Sequence, residues 1–132
     1  MKHKILIRLF SLLLLAVLLV GCASPPKRDV YATMADIDVS EYSAADIMVP
    51  SYHSPLQYTE RFPEEYGALA AYGQEGVPYI LQYVIEHKSL DYSNAMFFVC
   101  CAYQILGINE LFDIDNSDPA EHARALQEYI SK

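Results

Sequence analysis

Hydrophobic positions fall in two patterns along the chain. Leu9 to Val20 is an apolar run with Ser11 as its one polar residue, whereas the later apolar residues recur at helical intervals. Val77, Ile80, Leu81, Val84 and Ile85 lie at i, i+3, i+4, i+7 and i+8, with Pro78 in the first turn, and predict an amphipathic helix with one buried face. Upstream, Pro63-Glu64-Glu65 makes a good first turn for a helix whose stripe is Tyr66, Leu69 and Ala70, and Gly73 suits the left-handed position that ends it. Downstream, Ala95 to Ala102 is apolar on every side, so a helix capped by Ser93 and stopped by Gly107 should be central. Asp118-Pro119-Ala120-Glu121 then opens a last helix, which should bury Ala123, Leu126 and Tyr129 or Ile130. No alternating strand pattern competes. The expectation is an all-α fold, a compact bundle of about four helices over residues 58–132.

The segment before it reads differently. Ala23 to Asp29 is polar with adjacent Pro25 and Pro26, the composition of a spacer, and residues 30–57 show no sustained period, with Pro50 and Pro55 breaking any long element. A short turn at Ser43 to Met48 is expected, capped by Ser43 with Asp46 three residues on. Residues 22–57 are therefore assigned as an irregular tether.

The first 21 residues carry Lys2, Lys4 and Arg8, no acid, and the apolar run, ending at the small residue Gly21. This is the layout of a secretory signal peptide. Twelve helical residues span about 18 Å, well short of a hydrocarbon core of roughly 30 Å, so a permanent membrane span is disfavoured. Leu19-Val20-Gly21-Cys22 resembles the lipobox of bacterial lipoproteins. The resemblance implies cleavage of residues 1–21, attachment of acyl chains to Cys22, and anchorage of the mature chain in a bacterial envelope membrane. Ala23 is not the aspartate associated in that family with inner-membrane retention, which favours the outer membrane in a cell with two.

A second likeness lies in Leu69-Ala70-Ala71-Tyr72-Gly73-Gln74-Glu75-Gly76-Val77-Pro78-Tyr79-Ile80-Leu81, which resembles the turn of a HEAT-type helical repeat. A first helix would end at Gly73 and Val77-Pro78 would start the second. The chain is too short for a solenoid, so a compact HEAT-like domain is expected, and the resemblance implies a role in binding partners.

Charge sharpens the picture. The whole chain carries 9 basic and 17 acidic residues for a net −8, but three of the bases sit in the leader. From Cys22 onward six bases face seventeen acids, a formal −11, which disfavours contact with nucleic acid. No cofactor is implied beyond the covalent lipid. Cys100 and Cys101 are adjacent, point about 100° apart on a helix and sit among apolar neighbours, so they are expected to be core residues. Asp113 to Asp118 alternates oxygen donors, yet Asp118 and Arg124 stand where a calcium loop needs Gly and Glu, so no metal site is assigned. His53, His87 and His122 are dispersed, and Glu64 with Glu65 diverge on a helix, so no catalytic residues are assigned.

The 11 tyrosines, all after the anchor, favour a contact surface. Tyr79 and Tyr83 are expected beside the buried stripe, and with Glu75 and Glu86 they form the candidate partner-contact residues. The function expected is an envelope interaction or adaptor module that binds another envelope protein. The alternatives are an acidic inhibitor or immunity-type lipoprotein that neutralises a basic enzyme and, behind it, a small cell-wall hydrolase.

Overall fold

A computed structural model describes residues 26–40, 54–114 and 118–132. The leader, Cys22 and the expected turn at Ser43 to Met48 lie outside the described residues, as does the middle of the loop from Asp113 to Asp118. The described chain is all-helical: α1 (Lys27–Ala35), α2 (Pro55–Arg61), α3 (Pro63–Ala70), α4 (Val77–Glu86), α5 (Tyr92–Ile105) and α6 (Pro119–Ile130), with a single 3-10 turn at Gln74–Gly76. They pack as a compact bundle. No helix among the described residues is long and apolar enough to cross a membrane.

The centre is α5. Ser93 to Tyr103 are all buried, and the helix packs against α2, α3, α4 and α6. A helix without a wet face needs neighbours on every side, and these supply them. Its start differs from the expected one: Asp91 occupies the cap position and its carbonyl accepts the Ala95 amide, while Ser93 is buried inside the first turn. The stripe on α4 is buried as expected at Val77, Ile80, Leu81 and Val84, with Ile85 half-buried. On α6 the Asp118 carboxylate accepts the Ala120 amide at 3.0 Å, Ala123 and Leu126 are fully buried, and Ile130 rather than Tyr129 packs on the core.

Helices α2 and α3 are split at Phe62, whose φ of −126° and ψ of 64° leave the helical region. The Pro63 ring disfavours helical geometry in the residue before it, and Phe62 uses the break to set its ring edge-on to Phe97 at 5.5 Å. Gly73, with φ of 68°, ends the turn after α3 as predicted. At Gly76 a Cβ would lie 2.7 Å from the Cβ of Tyr72, so the approach of α4 to that turn admits no side chain there.

One assignment is corrected. Residues 27–35, placed in the irregular tether, form α1, and this helix packs on α3 and α4. Val30 and Met34, four residues apart on one face, are 0% and 1% exposed, and Val39 just beyond is 3%. Burying two such side chains contributes about 1.5 to 3 kcal/mol each, enough to hold a nine-residue helix that could not persist alone. Likewise the first residues of α2 precede the expected boundary at 58, and Pro55 is buried at its first turn.

Candidate interaction surface

The tether helix meets α4 through an aromatic and polar seam. Tyr31 on α1 sets its ring edge-on to Tyr83 at 5.0 Å, and Tyr83 stacks on His87 with centroids 3.8 Å apart. The His87 backbone amide and ring Nδ1 both approach the Tyr83 carbonyl, at 3.0 and 2.8 Å, which closes the end of α4. The Tyr31 hydroxyl donates to Glu86 at 2.9 Å, and Gln82 donates to the other oxygen of the same carboxylate at 2.8 Å. Hydrogen bonds from Gln82 and Tyr31, with the nearby charges of Lys27 and His87, hold the Glu86 carboxyl below its usual range. Burial, and then the Glu86 carboxylate, pushes the Tyr31 phenol up. Lys27 reaches the same group, 3.7 Å from Glu86 and 4.9 Å above the Tyr31 ring centroid. Along the middle of α1, the Tyr72 hydroxyl lies 2.8 Å from the Thr33 hydroxyl and 3.1 Å from the Asp29 carbonyl.

This seam divides the four expected contact residues. Tyr83, expected beside the buried stripe, is 7% exposed and lies in the core between Tyr31, His87 and Phe98, because α1 covers the face of α4 on which it sits. It is corrected from a surface residue to a core one. Glu86 is exposed but committed to fastening α1. Glu75 is exposed and Tyr79 half-buried, both at the opposite end of α4, so the structure does not bring all four residues into one surface. The signal that would have separated them is the pair Val30 and Met34, whose spacing requires an apolar seat on a neighbouring helix.

A cleft of about 360 Å³ opens beside the seam, where the end of α4 and the following loop meet the starts of α5 and α6. Val84, Ile85 and Leu90 contribute apolar wall, while His87, Lys88 and Arg124 line it with cationic and imidazole groups. Arg124 is paired with Glu121. Lys88 makes no ion pair among the described residues, which sets it apart in so acidic a chain.

Between α5 and α6 is a buried polar relay that spacing did not reveal. The Phe112 amide donates to the Tyr103 phenol oxygen at 3.2 Å, and with a neutral imidazole the Tyr103 hydroxyl donates to Nδ1 of His122 at 2.9 Å. His122 is 5% exposed, and burial lowers its pKa below 6.5, partly opposed by Asp118. Burial pushes the Tyr103 phenol up to about 12. The relay ties the loop after α5 to α6.

Cys100 and Cys101 are both fully buried, and burial raises their thiols well above the ordinary value. In a Cys22→Ala chain, a thiol reagent should react only as fast as the domain opens; rapid reaction of the folded protein would contradict this placement. Among the described residues no three His, Cys, Asp or Glu side chains gather at metal-binding spacing. No family model, curated protein or solved structure matches the chain.

Proposed function

We propose that the chain is a lipid-anchored adaptor of the bacterial envelope, held to a membrane by acylated Cys22 and binding another envelope protein through its helical domain. The observation that carries the reading is the sequence Leu19-Val20-Gly21-Cys22, followed within five residues by a helix fastened to the domain. An anchor placed there sets the position of a folded body on the membrane. The junction from Gly73 to Pro78, with its HEAT-like sequence, supports a binding role. The partner surface proposed is the start of α4, where the exposed Glu75 and the half-buried Tyr79 combine an acidic and an aromatic group.

Substituting Tyr79→Ala together with Glu75→Ala should lower crosslinking to the partner in intact membranes about tenfold, with helical circular dichroism unchanged. Repeated crosslinking that returns no partner, or capture indifferent to these two residues, would count against the adaptor. The formal −11 favours a second reading, an acidic inhibitor of a basic enzyme. That reading requires capture to weaken steeply with salt.

A further inference from the structure

The proposed anchor and the docked helix α1 together constrain how the domain meets the bilayer. Five peptide units separate Cys22 from Lys27, a reach of at most about 18 Å. From Lys27 on the chain is fastened to the domain, because Val30 and Met34 are buried and Tyr31 and Thr33 are hydrogen-bonded to Glu86 and Tyr72. The start of α1 lies against the end of α4, as the contacts of Lys27 with Glu86 and of Tyr31 with His87 require. Acylated Cys22 would therefore keep this end of the domain beside the membrane.

Charge is distributed along the same direction. Residues 26–31, 85–92 and 118–124, which make up the start of α1, the end of α4 and the walls of the cleft, hold Lys27, Arg28, Lys88 and Arg124 against five acids, and Asp38, whose carboxylate shares the Asn94 amide with Asp91, makes a sixth, a formal −2. The other described residues hold two bases and eight acids, a formal −6. Arg28 and Lys88 are exposed, and Lys27 is half exposed on its pair with Glu86. An anionic surface repels the strongly acidic remainder and attracts the exposed cations, so both forces turn the same end toward the lipid.

We propose that the end of the domain formed by Lys27, Arg28 and Lys88 docks on the anionic phospholipid headgroups of the leaflet that holds Cys22, presenting the acidic start of α4 away from the membrane. The inference rests on the lipid-anchor reading and adds an orientation to it. It also leaves the surface of Glu75 and Tyr79 free for a protein partner, since α4 places the two ends about 15 Å apart.

The chain has no tryptophan, so one introduced residue is a clean reporter. Ser89→Trp marks the end beside Lys88 and Gln74→Trp the opposite end of α4, both at exposed positions. The full chain, purified from membranes with its lipid, is reconstituted into vesicles rich in phosphatidylglycerol that contain a dansyl-headgroup lipid. Energy transfer from Ser89→Trp should be about twofold or more that from Gln74→Trp, the difference shrinking in high salt, in phosphatidylcholine vesicles, and in the combination Lys27→Gln, Arg28→Gln and Lys88→Gln. Equal transfer from the two positions, with the protein still floating with the vesicles, overturns the orientation alone. A difference that survives the triple substitution and neutral lipid overturns its electrostatic basis. Failure of the chain to float with vesicles overturns the anchor itself, and the orientation with it.

Discussion

Val30→Asp should lower the stability of the domain by about 3 kcal/mol or more, and the melting temperature by more than about 10 °C. Val30 is 0% exposed on the face of α1 that meets the rest of the domain. A carboxylate there has two outcomes: it stays buried and unpaired, or α1 leaves its seat and exposes Val30, Met34 and the surface they cover. Either outcome costs a large part of the stability of a small domain, which amounts to only about 5 to 15 kcal/mol in total. The control is Ala32→Asp, on the exposed side of the same helix, which should change stability by less than about 0.5 kcal/mol. Equal, small effects of the two substitutions in thermal or urea unfolding would return residues 27–35 to the role of a loose tether.

Tyr103→Phe should cost about 3 kcal/mol although it removes one oxygen. Its loss leaves Nδ1 of the buried His122 and the part-buried Phe112 amide without this partner, and an unsatisfied buried group costs roughly 1 to 3 kcal/mol. The same relay gives a pH dependence. The pKa of His122 is lower in the folded than in the unfolded chain, so the unfolded state takes up the proton first. This contribution is complete above about pH 6.5 and is lost as pH falls from there toward the folded value. Protonation at Nδ1 also removes the acceptor of the Tyr103 hydroxyl. His122→Gln supplies an acceptor oxygen without a titrating group and should flatten stability against pH in the window just below 6.5; a wild type already flat there would contradict the buried, neutral imidazole.

Much of the helical core could be read from the chain because local signals and tertiary need agree there. Val77 to Ile85 has a clean helical stripe, Asp118 with Pro119 is a cap with its first-turn proline, and the all-apolar stretch of α5 has only a central position to occupy. Helix α1 was hidden for the opposite reason. Its nine residues bury only Val30 and Met34, follow two prolines and are otherwise polar, aromatic or small, so the helix depends on a seat that α3 and α4 provide in three dimensions. Concealing α1 also misplaced Tyr83: its surface location followed from the α4 stripe alone, and a neighbour not visible in the sequence covers it. The Tyr103–His122–Phe112 relay joins residues 19 and 9 apart across a turn, and no fixed spacing announces such a contact. Glu75 is exposed and Tyr79 half-buried beside the start of α4, where exposure depends mainly on the local turn.

The proposed anchor and the docked α1 together would seat the helical bundle at a bilayer. The most direct measurement is incorporation of radiolabelled palmitate in a bacterial host, comparing the full chain with Cys22→Ala. The account predicts label in a mature, shortened wild-type chain, and none in a longer, uncleaved Cys22→Ala precursor. Equal label in both, or none in either, would contradict it.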